Sequence, residues 1–150
     1  MEFATPEFKE LLSTFNENGV KYLIVGAFAV MIYSEPRYTK DLDIWVEPTP
    51  DNAERVFRAL HQFGAPLAGL SPKDFEEEGF YQMGRPPGRI DVMMSIDGID
   101  FATAWENRTS NDFRGVPVQY IGKDELIVNK KLAGRYQDLA DIENMLLKKK

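Results

Sequence analysis

Tyr22-Leu23-Ile24-Val25 sets four large apolar side chains in a row, and Gly26 ends the run. Strand side chains alternate between two faces, so an unbroken apolar run this short suits a strand covered on both sides better than an edge strand. After Gly26, the stretch Ala27 to Tyr33 is again apolar and short enough for a buried helix. Next, Leu42, Ile44 and Val46 alternate with Asp41, Asp43 and Trp45, a period of two that predicts a second strand. The core is therefore a sheet whose first strand is sandwiched, with helices supplying the cover.

The flanking segments supply those helices. Thr5-Pro6 is a helix start, followed by Phe8, Leu11, Leu12 and Phe15 on one face and by Asn18-Gly19 as a stop. Thr49-Pro50-Asp51 repeats the start, with Ala53, Val56, Phe57, Leu60 and Phe63 as the stripe and Gly64 as the end. Ser71-Pro72-Lys73-Asp74 caps a short turn of helix. A hairpin is expected over Gly79 to Met83 and Arg89 to Met94, and Asp100 caps a helix carrying Phe101, Ala104 and Trp105. Val116 to Ile121 reads as the last strand. From Lys123 the pattern is helical to Leu147, with a break at Gly134. The order β-α-β-α, then a hairpin and terminal helices, predicts an α+β fold: a mixed sheet flanked by helices, with C-terminal helices added.

At 150 residues the chain is expected to form one domain over 1–150, burying ~70% of the surface its unfolded form exposes. It has no cysteine, which excludes disulfide staples, a thiol nucleophile and a thiolate zinc site. A single histidine, His61, disfavours a histidine-ligated metal or a Ser-His-Asp triad, and it falls on the polar side of its helix. Nothing resembles a signal peptide or a membrane span, so the expected location is the cytoplasm, with no membrane partner. Eighteen basic against 24 acidic residues give a net charge of −6, which speaks against charge-driven coating of nucleic acid.

Chemistry concentrates at the second strand. Asp41 and Asp43 stand ~6.6–6.8 Å apart on one face of a strand, where like charges repel. A divalent cation would relieve that repulsion, and Mg²⁺ takes one or two carboxylates together with substrate phosphates. Two acids shown to water on a half-exposed strand is the plain alternative. Gly26 adds a second element: a strand ending in glycine at a helix start offers free backbone N–H groups to a phosphate. Asp91 adds a third. Ile90 and Val92 point inward, so Asp91 shares the face of Asp41 and Asp43 if the strands are neighbours. Three carboxylates on adjacent strands can hold two ions and activate a hydroxyl between them.

Gly26, Asp41-x-Asp43 and a later strand acid at Asp91 resemble the polymerase-beta-like nucleotidyltransferase superfamily. Pro36 to Asp43, Gly84-x-Pro86-Pro87-x-Arg89-Ile90-Asp91, Ser95-Ile96-Asp97-Gly98 and the stretch from Asn129-Lys130 to Asp141 are similar to a group of small bacterial members. The C-terminal lysine–arginine–aspartate pattern also resembles nucleotidyltransferase toxins of abortive-infection and toxin–antitoxin systems. The resemblance implies a nucleotidyltransferase fold and transfer of a nucleoside monophosphate from an NTP to an acceptor hydroxyl on RNA, protein or a small molecule. It implies two Mg²⁺ ions held by Asp41 and Asp43, with Asp91 as base or third ligand. It also implies phosphate contacts at Gly26 and Ala27. Gly26-Ala27 departs from the usual Gly-Gly or Gly-Ser, which removes a serine hydroxyl but keeps the backbone N–H. That departure keeps open an alternative: a catalytically weak nucleotide-binding module, or one half of a toxin–antitoxin pair with an antitoxin-type partner.

An NTP needs cations around it, and Arg37, Lys40, Lys130 and Arg135 lie in the matching segments. The family pattern implies Lys130 toward phosphates and Asp138 assisting proton transfer or orienting a basic neighbour. From spacing alone, Arg135 and Asp138 at i, i+3 also make an ordinary helix-surface ion pair, and Asp141 shares that reading. Arg89 beside Asp91 is equally open, to substrate or to its neighbouring acids. Trp45 lies on the Asp43 face, where it packs or borders the nucleotide.

Overall fold

The computed structural model describes residues 3–36, 39, 41–85 and 88–147. The order is α1 (Thr5–Glu17), β1 (Tyr22–Val25), α2 (Gly26–Tyr33), β2 (Leu42–Val46), α3 (Pro50–Phe63) and a 3₁₀ turn (Pro72–Phe75). There follow β3 (Phe80–Met83), β4 (Ile90–Met93), α4 (Phe101–Glu106), β5 (Thr109–Phe113), β6 (Val116–Tyr120), α5 (Lys123–Ala133) and α6 (Tyr136–Leu147). The strands form one mixed sheet in the order β3-β4-β2-β1-β6-β5. β1 is antiparallel to β2 and parallel to β6, and β2 is parallel to β4. The α+β fold expected from the sequence, a mixed sheet flanked by helices with C-terminal helices added, is the one observed. No described helix is long and apolar enough to cross a membrane.

Each residue of β1 is buried, as an apolar run at the centre of a sheet requires. Tyr22 meets Phe15 of α1 edge-on at 5.7 Å, so Tyr22 and Ile24, with their β2 partners Val46 and Ile44, face α1 and α3. Leu23, Val25, Asp43 and Trp45 point the other way. There Trp45 packs edge-to-face on Phe101 of α4 at 5.0 Å, and Phe101 stacks on Trp105. The register of β1 and β2 is tied by Asn52, wholly buried at the start of α3. Its side chain accepts from Lys21 N at 2.8 Å and donates to Lys21 O and Glu47 O at 3.0 and 2.9 Å. Thr49 caps the same helix by accepting from Asn52 N.

Two features depart from the expected pattern. α1 starts at Thr5, so Ala4 rather than Thr5 stands at the cap, and Glu7 accepts from Ala4 N at 2.8 Å. β5 is an additional strand. Its residues are mostly polar and exposed, so no alternation announces it, and a tight turn through Arg114 (φ 52°) and Gly115 (φ 99°) joins it to β6.

Candidate nucleotide site

The end of β1, the start of β2 and the start of β4 meet at one rim of the sheet. Val25 pairs with Asp43, and Asp43 pairs with Asp91, so both acids leave the same face of adjacent strands. Asp41 lies just before β2, where its Oδ1 accepts from Arg89 N at 3.0 Å. Gly26 opens α2 with φ +69°. A Cβ there would run into Asp43 Oδ2 and stand 3.0 Å from its Cγ, so only glycine lets the carboxylate lie against this turn. The first N–H groups of α2 therefore open beside Asp43, with partly exposed Ala27 following in the helix.

The charge balance is tight. Burial pushes the Asp43 carboxyl up to about 7, and the negative charges of Asp91 and Asp41 add to it; Arg89 works in the opposite direction. Arg89 is a fork on Asp91: Nε donates to Oδ1 at 3.0 Å and Nη2 to Oδ2 at 3.2 Å. Its Nη2 also lies 3.8 Å from Asp41 Oδ2. These bonds raise the Arg89 guanidinium above its ordinary value. The cluster thus offers hard oxygen donors with an excess of negative charge, the chemistry that suits Mg²⁺. Among the described residues no group of three His, Cys, Asp or Glu stands as a ready-made metal cage, and both oxygens of Asp91 are given to Arg89. Asp41 and Asp43 are the carboxylates of the cluster that could hold an ion.

The C-terminal helices bring the second half. Gly134 (φ 67°) breaks the run after α5, and α6 folds back on it. Lys131, Arg135 and Asp138 thus do not share one helix face, and Lys131 is exposed. Lys130 is buried instead, with Nζ 3.0 Å from Asp138 Oδ1 and 3.1 Å from Asp141 Oδ2. Asp138 also accepts from Arg135 Nε at 2.7 Å and Nη2 at 3.2 Å. Burial works against ionising Asp138, but the bonds from Arg135 and Lys130 outweigh it and hold its carboxyl down at about 2. The Arg135–Asp138 pair that spacing suggested is present, but its carboxylate is not on the surface: both aspartates are 1% exposed and enclose an internal ammonium. The outward-facing cation of the group is Arg135, whose side chain is 76% exposed. Asp138 is the main cause that raises the Arg135 guanidinium, with a smaller contribution from Asp43, and α6 packs against α2, the helix that opens at the Gly26 turn.

The structure brings together Gly26, Ala27, Asp41, Asp43 and Asp91 at the rim, with Arg135, Asp138 and Lys130 beside them. Arg37 and Lys40 lie outside the described residues. Trp45 is core packing, 1% exposed. Sequence reasoning missed a hollow of about 310 Å³ against Asp91, lined by Phe80, Gln82, Met93 and Ser95. Its signal is the spacing of Phe80 and Gln82, which only the β3–β4 register aligns with Met93 and Asp91. A larger cavity of about 560 Å³, between Phe3, Phe63 and Arg85, is lined by Glu7 and Glu10 but by none of Asp41, Asp43 and Asp91.

Comparison with known proteins agrees with the fold. A family described as nucleotidyltransferase of unknown function (DUF6036) matches residues 4–150. No curated protein matches the sequence. Among solved structures, the lincosamide antibiotic adenylyltransferase LnuA with lincomycin bound is similar at TM-score 0.60 and 15% identity, over 98% of this chain and 99% of that one. A nucleotidyltransferase-like structure from Thermotoga maritima aligns at TM-score 0.59 and 14% identity, over 97% and 96% of the two chains. The antibiotic-resistance factor ANT(2'')-Ia aligns at TM-score 0.62 and 12% identity, over 94% and 81%. At these identities the likeness is one of fold.

Proposed function

The chain belongs to this nucleotidyltransferase family, and we propose that it is a magnesium-dependent enzyme moving a nucleoside monophosphate from an NTP to an acceptor hydroxyl. The observation that carries this reading is the placement of Asp43 between the Gly26 turn on one strand and Asp91 on the next. Asp41 and Asp43 would hold the ion, which when bound neutralises the triphosphate and favours departure of pyrophosphate. The N–H groups at the start of α2 receive phosphate oxygens, and Arg135 faces the same charge from α6. Lys130 acts through Asp138: it holds that carboxylate ionised and fixes the Arg135 fork. The acceptor oxygen attacks the α-phosphorus, a new O–P bond forms, and the α–β bridging P–O bond breaks. The hydroxyl proton passes to Asp91, whose carboxylate the Arg89 fork holds in place and whose oxygens each keep a free lone pair. Most of the rate enhancement would come from positioning and charge neutralisation.

Calorimetric titration with each NTP, in Mg²⁺ and in EDTA, tests the binding half. Tight binding that needs Mg²⁺ and disappears in Asp41→Asn/Asp43→Asn supports it. Binding that ignores both metal and variant contradicts it.

A second reading is a nucleotide-binding component that works through a partner protein, as in a toxin–antitoxin pair. The α5–α6 surface favours it, since Leu132, Tyr136, Leu139, Leu146 and Leu147 are all at least half exposed. Its mark would be nucleotide binding without pyrophosphate release.

A further inference from the structure

We propose that Phe3 is a positioning residue for the carboxylate cluster, acting on Asp41 and Asp91 through the peptide group that joins Gly88 to Arg89. Its consequence for catalysis rests on the nucleotidyl-transfer reading above, to which it adds the element that holds Asp41 in place. Asp41 precedes β2, so strand pairing does not fix it. Its Oδ1 accepts from Arg89 N at 3.0 Å, and Arg89 Nη2 stands 3.8 Å from its Oδ2. Arg89 likewise precedes β4, forks onto Asp91, and accepts from Leu42 N at its carbonyl at 3.0 Å. Arg89 is thus the joint between the two acids, and whatever fixes its backbone fixes their spacing.

Phe3 grips that backbone from the far side. Its N–H donates to Gly88 O at 2.7 Å, and Gly88 O belongs to the same peptide group as the Arg89 N–H that Asp41 accepts. A peptide group is planar, so fixing its carbonyl fixes the direction of its N–H. A hydrogen bond accepted at the carbonyl also polarises the group and strengthens that N–H as a donor. Two glycines make room for Phe3. A Cβ at Gly88 would run into Phe3 O and stand 2.8 Å from Phe3 N, and one at Gly84 would stand 2.7 and 2.8 Å from carbons of the Phe3 ring. The ring leans on Phe63, the last residue of α3, at 5.9 Å, and the next residue is tied to α1 by the bond from Ala4 N to Glu7 at 2.8 Å. Phe3 therefore links the α1 and α3 layer to the peptide that orients Asp41. The cavity of about 560 Å³ lies against the same ring, so trimming the ring enlarges an existing hollow and leaves the core packed.

The test reads amide hydrogen exchange in the full, metal-free chain at Arg89 and Leu42, each relative to the amides of β1. In Phe3→Ala both should exchange about tenfold faster than in wild type. Gly88→Ala, whose methyl displaces the Phe3 backbone, should do the same. Phe3→Ala/Gly88→Ala should be no worse than the stronger single variant, because both changes break one contact. Phe3→Leu keeps an apolar side chain over Gly84 and should retain most of the protection. Val118→Ala, a buried truncation in β6 on the opposite side of β1 from β4, controls for general loss of stability and should leave the ratios unchanged. Calorimetry extends the test to the site: Phe3→Ala should bind ATP·Mg²⁺ about fivefold more weakly than wild type, with Phe3→Leu and Val118→Ala close to wild type. Unchanged ratios in Phe3→Ala and Gly88→Ala, additive effects in the double variant, the same shift in Val118→Ala, or undiminished ATP·Mg²⁺ affinity in Phe3→Ala would overturn the assignment. A wild type that binds no ATP·Mg²⁺ while its Arg89 amide answers to Phe3 would uphold the clamp and sink nucleotidyl transfer, so the two failures are separable.

Discussion

The crowding of Asp43 makes the stability of the metal-free protein depend on pH in an unusual direction. Its carboxyl titrates at about 7 in the folded chain against 3.8 unfolded, because burial, Asp91 and Asp41 all oppose its charge. The native state therefore binds that proton more tightly than the unfolded state. The resulting stability is fully present below pH 3.8 and is lost as pH rises through 7. A gap of about three pH units corresponds to about 4 kcal/mol, and entry of water into the open cleft reduces the observable effect to ~2–4 kcal/mol. Urea unfolding in EDTA at pH 5, 6, 7 and 8 measures it, with Asp43→Asn as the reference that cannot titrate. Part of that loss is complete by pH 5, so between pH 5 and 8 the stability difference between wild type and variant should move against wild type by ~1–2.5 kcal/mol. Mg²⁺ at pH 8 should restore most of it to wild type alone, since the ion replaces the proton. A pH-independent difference, or equal Mg²⁺ stabilisation of both proteins, would refute the reasoning.

Other perturbations follow from single contacts. Gly26→Ala forces a side chain into the left-handed region at about 1–2 kcal/mol and drives Asp43 aside; turnover should fall ~100-fold in a labelled-nucleotide assay, more than the stability loss explains. Lys130→Met leaves Asp138 and Asp141 facing each other in the interior and should cost ~3–5 kcal/mol by urea denaturation. Adding Asp138→Asn and Asp141→Asn should recover much of that loss. Asn52→Ala breaks the three hydrogen bonds that tie β1 to β2 and should cost ~2–4 kcal/mol, with hydrogen exchange rising at Lys21. Below pH 4, protonation of Asp138 should contribute a separate loss of stability, since its folded carboxyl titrates at about 2; Asp138→Asn should flatten that arm.

The central part of the fold was legible because its signals are local. An apolar run such as Tyr22 to Val25 fits the middle of a sheet, alternation through Asp41 to Val46 fits a strand with one acidic face, and Gly134 stops a helix wherever the helix goes. The nearness of Asp41 to Asp43 was legible in the Asp-x-Asp spacing, but Asp41 lies just before β2 and is held by Arg89 rather than by the strand. Contacts set by chain reversal were not. Lys130 meets Asp138 and Asp141 only because α6 folds back at Gly134, so spacing along one ideal helix suggested a surface pair instead. β5 escaped because an edge strand need not alternate apolar and polar residues, and Thr109 to Phe113 does not. The hollow against Asp91 is walled by β3 and β4 together, and only their pairing register sets Phe80 and Gln82 beside Met93 and Asp91.

The central claim is that Asp41 and Asp43 direct attack on the α-phosphorus of a nucleotide. Its most direct measurement incubates the protein with Mg²⁺ and cellular RNA, protein and small-molecule extract, using each NTP labelled at the α-phosphate or, in parallel, at the γ-phosphate. The account predicts that α-label appears on an acceptor while γ-label leaves as pyrophosphate, and that Asp41→Ala/Asp43→Ala abolishes both. Transfer of the γ-label to an acceptor, or undiminished transfer by the double variant, would contradict it.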